Sequence, residues 1–202
     1  MGCKSGNSFL EGICISVSAS KSESGITIPK VKFVLRDSRP DDLETLFQVD
    51  QQCFAAGIAY SRMELSAYIR RRNSFALVAE REISPEETST RSSYAASILG
   101  FLVAHSSSRG EGHVITIDVL RAFRRFGIGT SLLRAAEDRL RIRNCQAIRL
   151  ETAVDNRTAL SFYKRQGYYI HGTIPRYYPN SMDAFVLRKD LLSASQPATL
   201  RQ

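Results

Sequence analysis

A β-branched run that meets a basic, glycine-containing turn constrains the fold of this 202-residue chain more than any other stretch. The run is Val114–Val119, the turn is Arg124–Thr130, and a helix is predicted from Ile128 to about Arg143 because apolar residues recur there at helical spacing. This order brings the unpaired amides and the positive dipole end of a helix beside the glycines. The sequence therefore predicts an anion site suited to a phosphate or pyrophosphate.

The turn departs from two familiar nucleotide-binding loops. Leu132 stands where the dinucleotide fingerprint G-x-G-x-x-G requires its third glycine. A Walker A loop requires Gly-Lys followed by Ser or Thr, and the chain has no such sequence. Arg124 and Arg125 add positive charge beside the helix start, which favours the anion site. The alternative is a plain strand–helix turn with two flexible glycines and no ligand.

The succession of predicted elements fixes the fold class. A strand, the helix and a second strand at Ala147–Glu151 force one parallel pair, because a helix must cross between the two strands. The full predicted order is β-α-α-β-β-β-α-β-α-β-β. We therefore expect a mixed α/β (α+β) domain, with a mostly antiparallel twisted sheet flanked by helices. The domain is predicted to span residues 30–192, with a flexible N-terminal extension at 1–29 and a flexible tail at 193–202.

Local signals within the helices support this order. Ser61 is a candidate cap for the second helix, and Gly167 is a candidate left-handed residue at the end of the last helix. Glu137 and Arg141 lie four residues apart in the central helix, and we expect them to pair on its solvent-facing side.

The composition and net charge limit the kinds of ligand and partner that we expect for this chain. The formal net charge is +8 and the pI is near 9.6, which favours nucleotide-type cofactors, RNA or anionic surfaces without choosing among them. The four cysteines are far apart in sequence, so we expect no metal site and no disulfide framework, but free thiols in the cytoplasm. No apolar run approaches the ~18 residues of a membrane-spanning helix. We expect neither a DNA nor a membrane partner.

Several motifs resemble the GNAT N-acetyltransferase superfamily. Arg124-x-x-Gly127-x-Gly129 is similar to its acyl-CoA pyrophosphate loop, and residues 150–168, with Glu151, Asn156 and Tyr163, are similar to the second half of its fold. Tyr177-Tyr178-Pro179 adds a likeness to RimI-type enzymes, the ribosomal-protein alanine N-acetyltransferases. The resemblance covers about residues 31–190 and implies that the parallel strands splay apart.

The resemblance implies two catalytic residues. Glu151 would be the general base that takes a proton from the acceptor amine, because a protonated amine has no free lone pair. The alternative for Glu151 is a surface carboxylate paired with Arg149 or Arg157. Tyr163 would protonate the departing CoA thiolate, since a phenol with a pKa near 10 is protonated at neutral pH. The alternative for Tyr163 is packing against Phe162 and the sheet.

Acetyl-CoA is the implied co-substrate. By resemblance, the strand holding Val119 would bulge, and the Val119 amide would stabilise the oxyanion that develops on the thioester carbonyl. Asn156 would bind the pantetheine arm or simply cap its helix. The full set of predicted cofactor-binding residues is Ile117, Val119, Arg124, Arg125, Gly127, Ile128, Gly129, Thr130, Asn156 and Tyr163.

The acceptor is predicted to be a protein or peptide amine, with an N-terminal α-amino group favoured and a ribosomal protein as one candidate. Its predicted binding residues are Tyr60, His113, Tyr177 and Tyr178, with His113 also a candidate second base. Two alternatives stay open. One is acetylation of a small amine or of lysine, and the other is a non-catalytic module that binds acyl-CoA or RNA.

Overall fold

The computed structural model describes residues 31–54, 58–82 and 97–191. The predicted extension at 1–29 and the predicted tail at 193–202 lie outside these ranges. The strands are β1 (Phe33–Asp37), β2 (Ser74–Arg81), β3 (Ile98–Ser106), β4 (Glu111–Val119), β5 (Ala147–Ala153), β6 (Tyr169–Ile174) and β7 (Ala184–Asp190). The helices are α1 (Leu43–Cys53), α2 (Arg62–Arg70), α3 (Ile128–Ile142) and α4 (Arg157–Arg165).

The described strands form one sheet in the order β1-β2-β3-β4-β5-β7-β6. Only β4 and β5 run parallel, and all other neighbours are antiparallel. Helix α3 connects the parallel pair, as the crossover argument requires. The expected fold class and element order are therefore confirmed.

Helices cover both faces of the sheet and bury two apolar layers. Leu46 of α1 and Leu65 of α2 pack with Phe101 on one face. Leu132 and Leu140 of α3 pack on the other face with residues of α4. Because β4 is the central strand, its side chains contribute to both layers. Within the described residues no helix is long and apolar enough to cross a membrane.

The local signals at helix ends are confirmed. The Ser61 hydroxyl accepts a hydrogen bond from the Glu64 amide at the start of α2, and the Glu64 side chain accepts from the Ser61 amide. Gly167 follows α4 with φ of +88°, a left-handed conformation that glycine adopts at low cost.

The expected Glu137–Arg141 pair is present, at 3.5 Å, but its expected position on the solvent-facing side is wrong. The Glu137 side chain is only 3% exposed. Lys189 of β7 donates to Glu137 Oε2 at 2.6 Å, and the Tyr168 hydroxyl donates to Oε1 at 3.1 Å. These partners come from the far end of the sequence, so the spacing within α3 could not reveal that Glu137 is buried.

Candidate active site

Strands β4 and β5 pair for only three residues and then separate. Their parallel register runs from Glu111 with Ala147 to His113 with Arg149. In β4 the pairing with β3 shifts between Val114 and Thr116, which leaves Ile115 as an extra residue. A β-bulge bends its strand and increases the local twist. The expected bulge is therefore present, four residues before Val119, at the point where the two parallel strands diverge.

The separation leaves main-chain groups of β4 without a strand beside them. The Leu120 amide donates to the Leu99 carbonyl of β3 at 3.0 Å. Because successive residues of a strand direct their main-chain groups to opposite sides, those of Val119 and Ile117 are directed away from β3. They face the gap that opens where β5 has moved away.

The glycine-containing turn at the end of β4 is compact and strongly bent. Arg125 has φ of +72° and Gly127 has φ of +85°, so two residues of the turn are left-handed. No side chain caps α3, which begins at Ile128, so the first amides of this helix are open to a ligand. Arg124 Nε donates to the Val119 carbonyl at 2.9 Å. The turn thus combines free amides and positive charge beside the opened strand.

Other predicted cofactor residues lie along the first turns of α3 and α4. Gly129 faces Phe162, whose ring carbons lie 3.6–3.7 Å from where a Cβ would be. Thr130 Oγ1 accepts from Gln166 Nε2 at 3.4 Å, which connects the start of α3 to the end of α4. Asn156 Oδ1 accepts from the Ala159 amide at 3.1 Å and caps α4. The capping alternative for Asn156 therefore holds, and its amide nitrogen stays available.

Glu151 lies on β5, two residues beyond the last residue that pairs with β4, and its side chain is 7% exposed. His113 Nε2 lies 2.6 Å from Glu151 Oε2, and Arg149 pairs with the other oxygen. Burial alone would raise the pKa of Glu151, but the hydrogen bond and charge of His113, together with Arg149, outweigh burial and lower it. Glu151 is thus a buried, ionised carboxylate rather than a surface one.

His113 connects this carboxylate to β3. It is the cross-strand partner of His105, and the two rings meet edge to face with centroids 5.3 Å apart. Burial, then the charge of His113, lowers the pKa of His105. The structure therefore brings together the two predicted proton-accepting residues, Glu151 and His113, which are 38 positions apart in sequence.

Tyr163 is 6% exposed and packs its ring against Phe162 at 5.1 Å and Tyr168 at 5.6 Å between centroids. The packing alternative is therefore realised, but it does not use the hydroxyl, which has no hydrogen-bond partner among the described residues. Burial, and next the charge of Asp118, raises the pKa of Tyr163. The phenol is held in its protonated form.

The aromatic turn between β6 and β7 carries Tyr177 and Tyr178, whose rings meet edge to face with centroids 5.0 Å apart. Burial, followed by the charges of Tyr177 and Glu151, raises the pKa of Tyr178 to about 12. Tyr177 is 46% exposed, and its pKa is raised by partial burial first and by the Glu151 charge second. Both rings thus lie near Glu151, and one of them reaches solvent.

Tyr60 precedes α2 on the opposite side of this opening. Its hydroxyl donates to the carbonyl of Ile115, the bulged residue, at 3.3 Å. Its amide donates to Asp50 Oδ2 of α1 at 2.9 Å. Tyr60 therefore links α1 to the bulge, and its ring meets Tyr68 at 5.2 Å between centroids.

The sequence analysis missed four residues of this region. Arg149 was considered only as part of an alternative, and Asp50, Asp118 and Cys53 were given no role. Cys53 Sγ donates to the Val119 carbonyl at 3.4 Å. Asp118 carried one available signal, since it is an acid inside a β-branched run that predicts a buried strand. The other positions carried none, because their contacts join distant segments.

The fold and this opening are those of an acyl-CoA-dependent transferase. The family model described as the acetyltransferase (GNAT) family matches residues 43–168, more than half of the chain. The chain therefore belongs to the GNAT family of acetyltransferases.

Among curated relatives, N-alpha-acetyltransferase 30 of Schizosaccharomyces pombe is 38% identical over 81 residues. The match covers 40% of this chain and 54% of that protein, so the chain spans about half the length of this relative. Ard1 from Thermoplasma volcanium is a structural neighbour with a TM-score of 0.67 and 26% identity, covering 79% of this chain and 98% of that one.

The RimI-type likeness extends to the fold alone. The ribosomal-protein-S18-alanine N-acetyltransferase from Escherichia coli has a TM-score of 0.65, covering 84% of this chain and 99% of that chain, at 17% identity. At this low identity, the similarity does not show that this chain acetylates the same acceptor as that enzyme.

Proposed function

We propose that this protein is an N-alpha-acetyltransferase that moves an acetyl group from acetyl-CoA to the N-terminal α-amine of a protein or peptide. The observation that carries the proposal is the Glu151–His113 pair at the point where β4 and β5 separate. The name of the fission yeast relative, N-alpha-acetyltransferase 30, agrees with this class of acceptor.

The glycine-containing turn fits the pyrophosphate of acetyl-CoA. Its left-handed residues, Arg125 and Gly127, turn the chain so that the open amides of α3 point out of the fold. In the proposal, the amides of residues 127–130 and the charges of Arg124 and Arg125 bind the phosphates. The Ile117 and Val119 main chain pairs with the pantetheine amides, and the Asn156 side chain adds a further contact.

In the proposal, the Glu151–His113 pair removes the proton from the acceptor amine. Glu151 accepts a proton from the acceptor ammonium, directly or through a water molecule, and the neutral amine then attacks the thioester carbonyl. His113, hydrogen-bonded to Glu151, orients the carboxylate and passes the proton towards solvent. The Val119 amide, directed into the gap, stabilises the oxygen that becomes negative during attack.

Tyr163 completes the proton balance. The nitrogen of the tetrahedral intermediate loses its second proton to the Glu151–His113 pair, which has by then released the first one to solvent. When the carbon–sulfur bond breaks, the leaving thiolate takes the phenolic proton of Tyr163, whose hydroxyl has no hydrogen-bond partner among the described residues. Because burial favours the neutral phenol, Tyr163 is protonated before the reaction and recovers its proton from solvent afterwards.

Three tyrosines form the proposed acceptor walls: Tyr60 on one side of the opening, and Tyr177 and Tyr178 on the other. An α-amine has a pKa of about 8 against ~10.4 for lysine, so its deprotonation requires less free energy. A base whose own pKa is lowered therefore fits an α-amine better than a lysine. The RimI-type acceptor, a ribosomal protein and a cytoplasmic location stay predictions of the sequence.

Acetyl-CoA and a library of N-terminal peptides, read by mass spectrometry, test the proposal, with spermidine and an Nα-blocked lysine peptide as competing acceptors. We expect the acetyl group on peptide α-amines, and a loss of about 10-fold or more in kcat for Tyr163→Phe with acetyl-CoA binding retained. Acetylation of spermidine or lysine alone would overturn the acceptor assignment. Binding of acetyl-CoA with no transfer to any amine would favour the non-catalytic module.

A further inference from the structure

Helix α3 carries a buried carboxylate that the proposed reaction does not use. The Glu137 side chain is 3% exposed, and each of its oxygens has a partner from another element. Lys189 of β7 donates to Oε2 at 2.6 Å, and the Tyr168 hydroxyl donates to Oε1 at 3.1 Å. A buried ion pair is weak evidence for stability, because apolar residues of similar volume often stabilise a fold as well or better. The arrangement of these side chains therefore requires a reason other than stability.

Tyr168 is held at both ends. It is 5% exposed and follows Gly167, whose left-handed φ of +88° ends the helical path of α4. The Tyr168 amide donates to the Tyr163 carbonyl at 3.0 Å, and its hydroxyl donates to Glu137 of α3. The Lys189 ammonium lies 5.6 Å from the centroid of the Tyr168 ring. The Tyr168 side chain thus connects the end of α4 to α3.

The hydrogen bond between Tyr168 and Glu137 is charge-assisted. Burial, then the charge and the hydrogen bond of Glu137, raises the pKa of Tyr168, so its hydroxyl keeps its proton and donates it. Lys189 pairs with the Glu137 carboxylate, and Arg141 adds a second positive charge at 3.5 Å. A hydrogen bond to an ionised acceptor is roughly twice as strong as one between neutral groups. This bond therefore restrains the Tyr168 ring more than packing alone would.

Tyr163 needs such a restraint, because its hydroxyl has no hydrogen-bond partner among the described residues. Its ring makes edge contacts with Phe162 at 5.1 Å and with Tyr168 at 5.6 Å between centroids. Phe162 is the preceding residue of the same helix, whereas Tyr168 is anchored to α3 through Glu137. The Tyr168 ring therefore restrains the Tyr163 phenol relative to α3.

We propose that Glu137 positions the general acid Tyr163 by holding Tyr168 through this hydrogen bond. The inference rests on the proposed function, in which Tyr163 protonates the leaving thiolate. Helix α3 also begins at the glycine-containing turn, whose open amides bind the phosphates in the proposed function. One helix thus locates both the cofactor and the acid that protonates its sulfur. Glu137 and Tyr168 are positioning residues, because they act through Tyr163.

The first test reads the anchoring itself. Hydrogen exchange at the main-chain amide of position 168, which donates to the Tyr163 carbonyl, is followed by NMR in full-length wild type, Tyr168→Phe and Tyr169→Phe. Tyr169→Phe is the matched control, because the Tyr169 side chain is exposed and its hydroxyl donates to Asp190 at 3.4 Å. We expect exchange to be about tenfold faster in Tyr168→Phe and within about twofold of the wild type in the control.

Two results of the exchange measurement would overturn the proposal. Unchanged exchange at position 168 would mean that the Tyr168 hydroxyl does not hold the end of α4. Equal acceleration of the core amides of β3 would mean that it acts on the stability of the whole domain. The measurement needs no acetyl transfer, so its outcome is separate from that of the proposed function.

The second test asks whether the hydrogen bond acts through Tyr163. We expect Tyr168→Phe to lower kcat about fivefold, with the KM of the peptide and of acetyl-CoA within about twofold of the wild type. In a Tyr163→Phe background the same substitution should lower kcat by less than about twofold, because the phenol that it positions is already absent. A further fivefold loss in that background would contradict positioning through Tyr163.

Lys189→Met separates positioning from stability. It removes the ammonium but keeps the hydrogen bond between Tyr168 and Glu137, and Arg141 still lies 3.5 Å from the carboxylate. We expect a lower midpoint of urea unfolding than in the wild type, with kcat within about twofold. A kcat that followed the unfolding midpoint in Lys189→Met and Tyr168→Phe would show a structural role and overturn the proposal. A wild-type kcat in Tyr163→Phe would overturn the proposed acid and its positioning together.

Discussion

Glu151 and Asp118 are buried carboxyl groups on neighbouring strands, yet the fold shifts their pKa values in opposite directions. Glu151 has a histidine and an arginine against its two oxygens, and its pKa is lowered despite burial. Asp118 has a threonine hydroxyl on one oxygen and a second carboxyl nearby, and burial together with that carboxyl raises its pKa. Both side chains are at least nine-tenths buried.

The difference shows that partners, more than depth, decide which carboxylate can act as a base. Desolvation penalises the charged form at both sites, but only at Glu151 do the cations outweigh it, because the charge of Arg124 does not offset burial at Asp118. The contrast follows from the sheet. Glu151 lies where β4 and β5 separate, which gives it access to an acceptor, whereas Asp118 lies under α1 where no acceptor can reach. Substitutions that remove either the carboxyl group or its charged partner should therefore affect activity at Glu151 and stability at the acids under α1.

The largest effect is expected for Glu151→Gln, which keeps the shape of the side chain and removes the base. We expect kcat to fall about 100-fold or more, because a positioned general base contributes 10²–10⁴-fold. Acetyl-CoA binding, measured by calorimetry, should not change, since the glycine-containing turn is untouched.

Glu111→Gln is the matched control for this substitution. Glu111 also pairs with Arg149, at 3.4 Å, but lies at the closed end of the parallel pair. It should retain near wild-type activity. A Glu151→Gln enzyme with more than about half of the wild-type kcat would rule out the proposed base.

Elements that depend on local spacing could be predicted from the sequence. The Arg124–Thr130 turn, the α3 stripe and the Ser61 cap are each contained in a few consecutive residues, and the structure has them where the spacing indicates. The parallel pair could be predicted from chain connectivity, because a helix that crosses between two strands of one sheet returns the chain in the same direction.

Contacts between distant segments could not be predicted in this way. The His113–Glu151 hydrogen bond joins residues 38 positions apart and depends on a parallel register of only three residues. The burial of Glu137 depends on Lys189, which is 52 positions away. Spacing within one helix or strand carries no information on contacts between distant segments. The family resemblance therefore suggested a role for Glu151 and one for His113, but not the hydrogen bond between them.

A smaller effect is expected on stability, whose dependence on pH should have opposite signs for Asp50 and Glu151. The folded-state pKa of Asp50 is raised to about 6, so the folded protein binds this proton more tightly than the unfolded chain does. The resulting stability is fully present below the unfolded pKa and is lost as the pH rises through the folded pKa. Glu151, with its lowered pKa, contributes with the opposite sign and loses its contribution in acid.

Urea unfolding at pH 4.5, 6 and 8 measures this difference, with Asp50→Asn compared with the wild type at each pH. The wild type should lose about 2 kcal/mol relative to the variant between the lowest and highest pH, because the variant has no proton to release at that position. A constant difference across this range would mean that Asp50 has an ordinary pKa in the folded state.

The smallest effect is expected for Arg149→Met, which makes Glu151 more like Asp118. Removing one cation should raise the pKa of Glu151, so the acid limb of kcat/KM should move to higher pH and activity at pH 6 should fall by less than about tenfold. Above pH 8 the rate should hardly change, since His113 still contacts the ionised carboxylate and Glu111 keeps Arg188 at 2.9 Å. An unmoved acid limb would mean that His113 alone sets the charge state of Glu151, and that the contrast with Asp118 depends on one hydrogen bond.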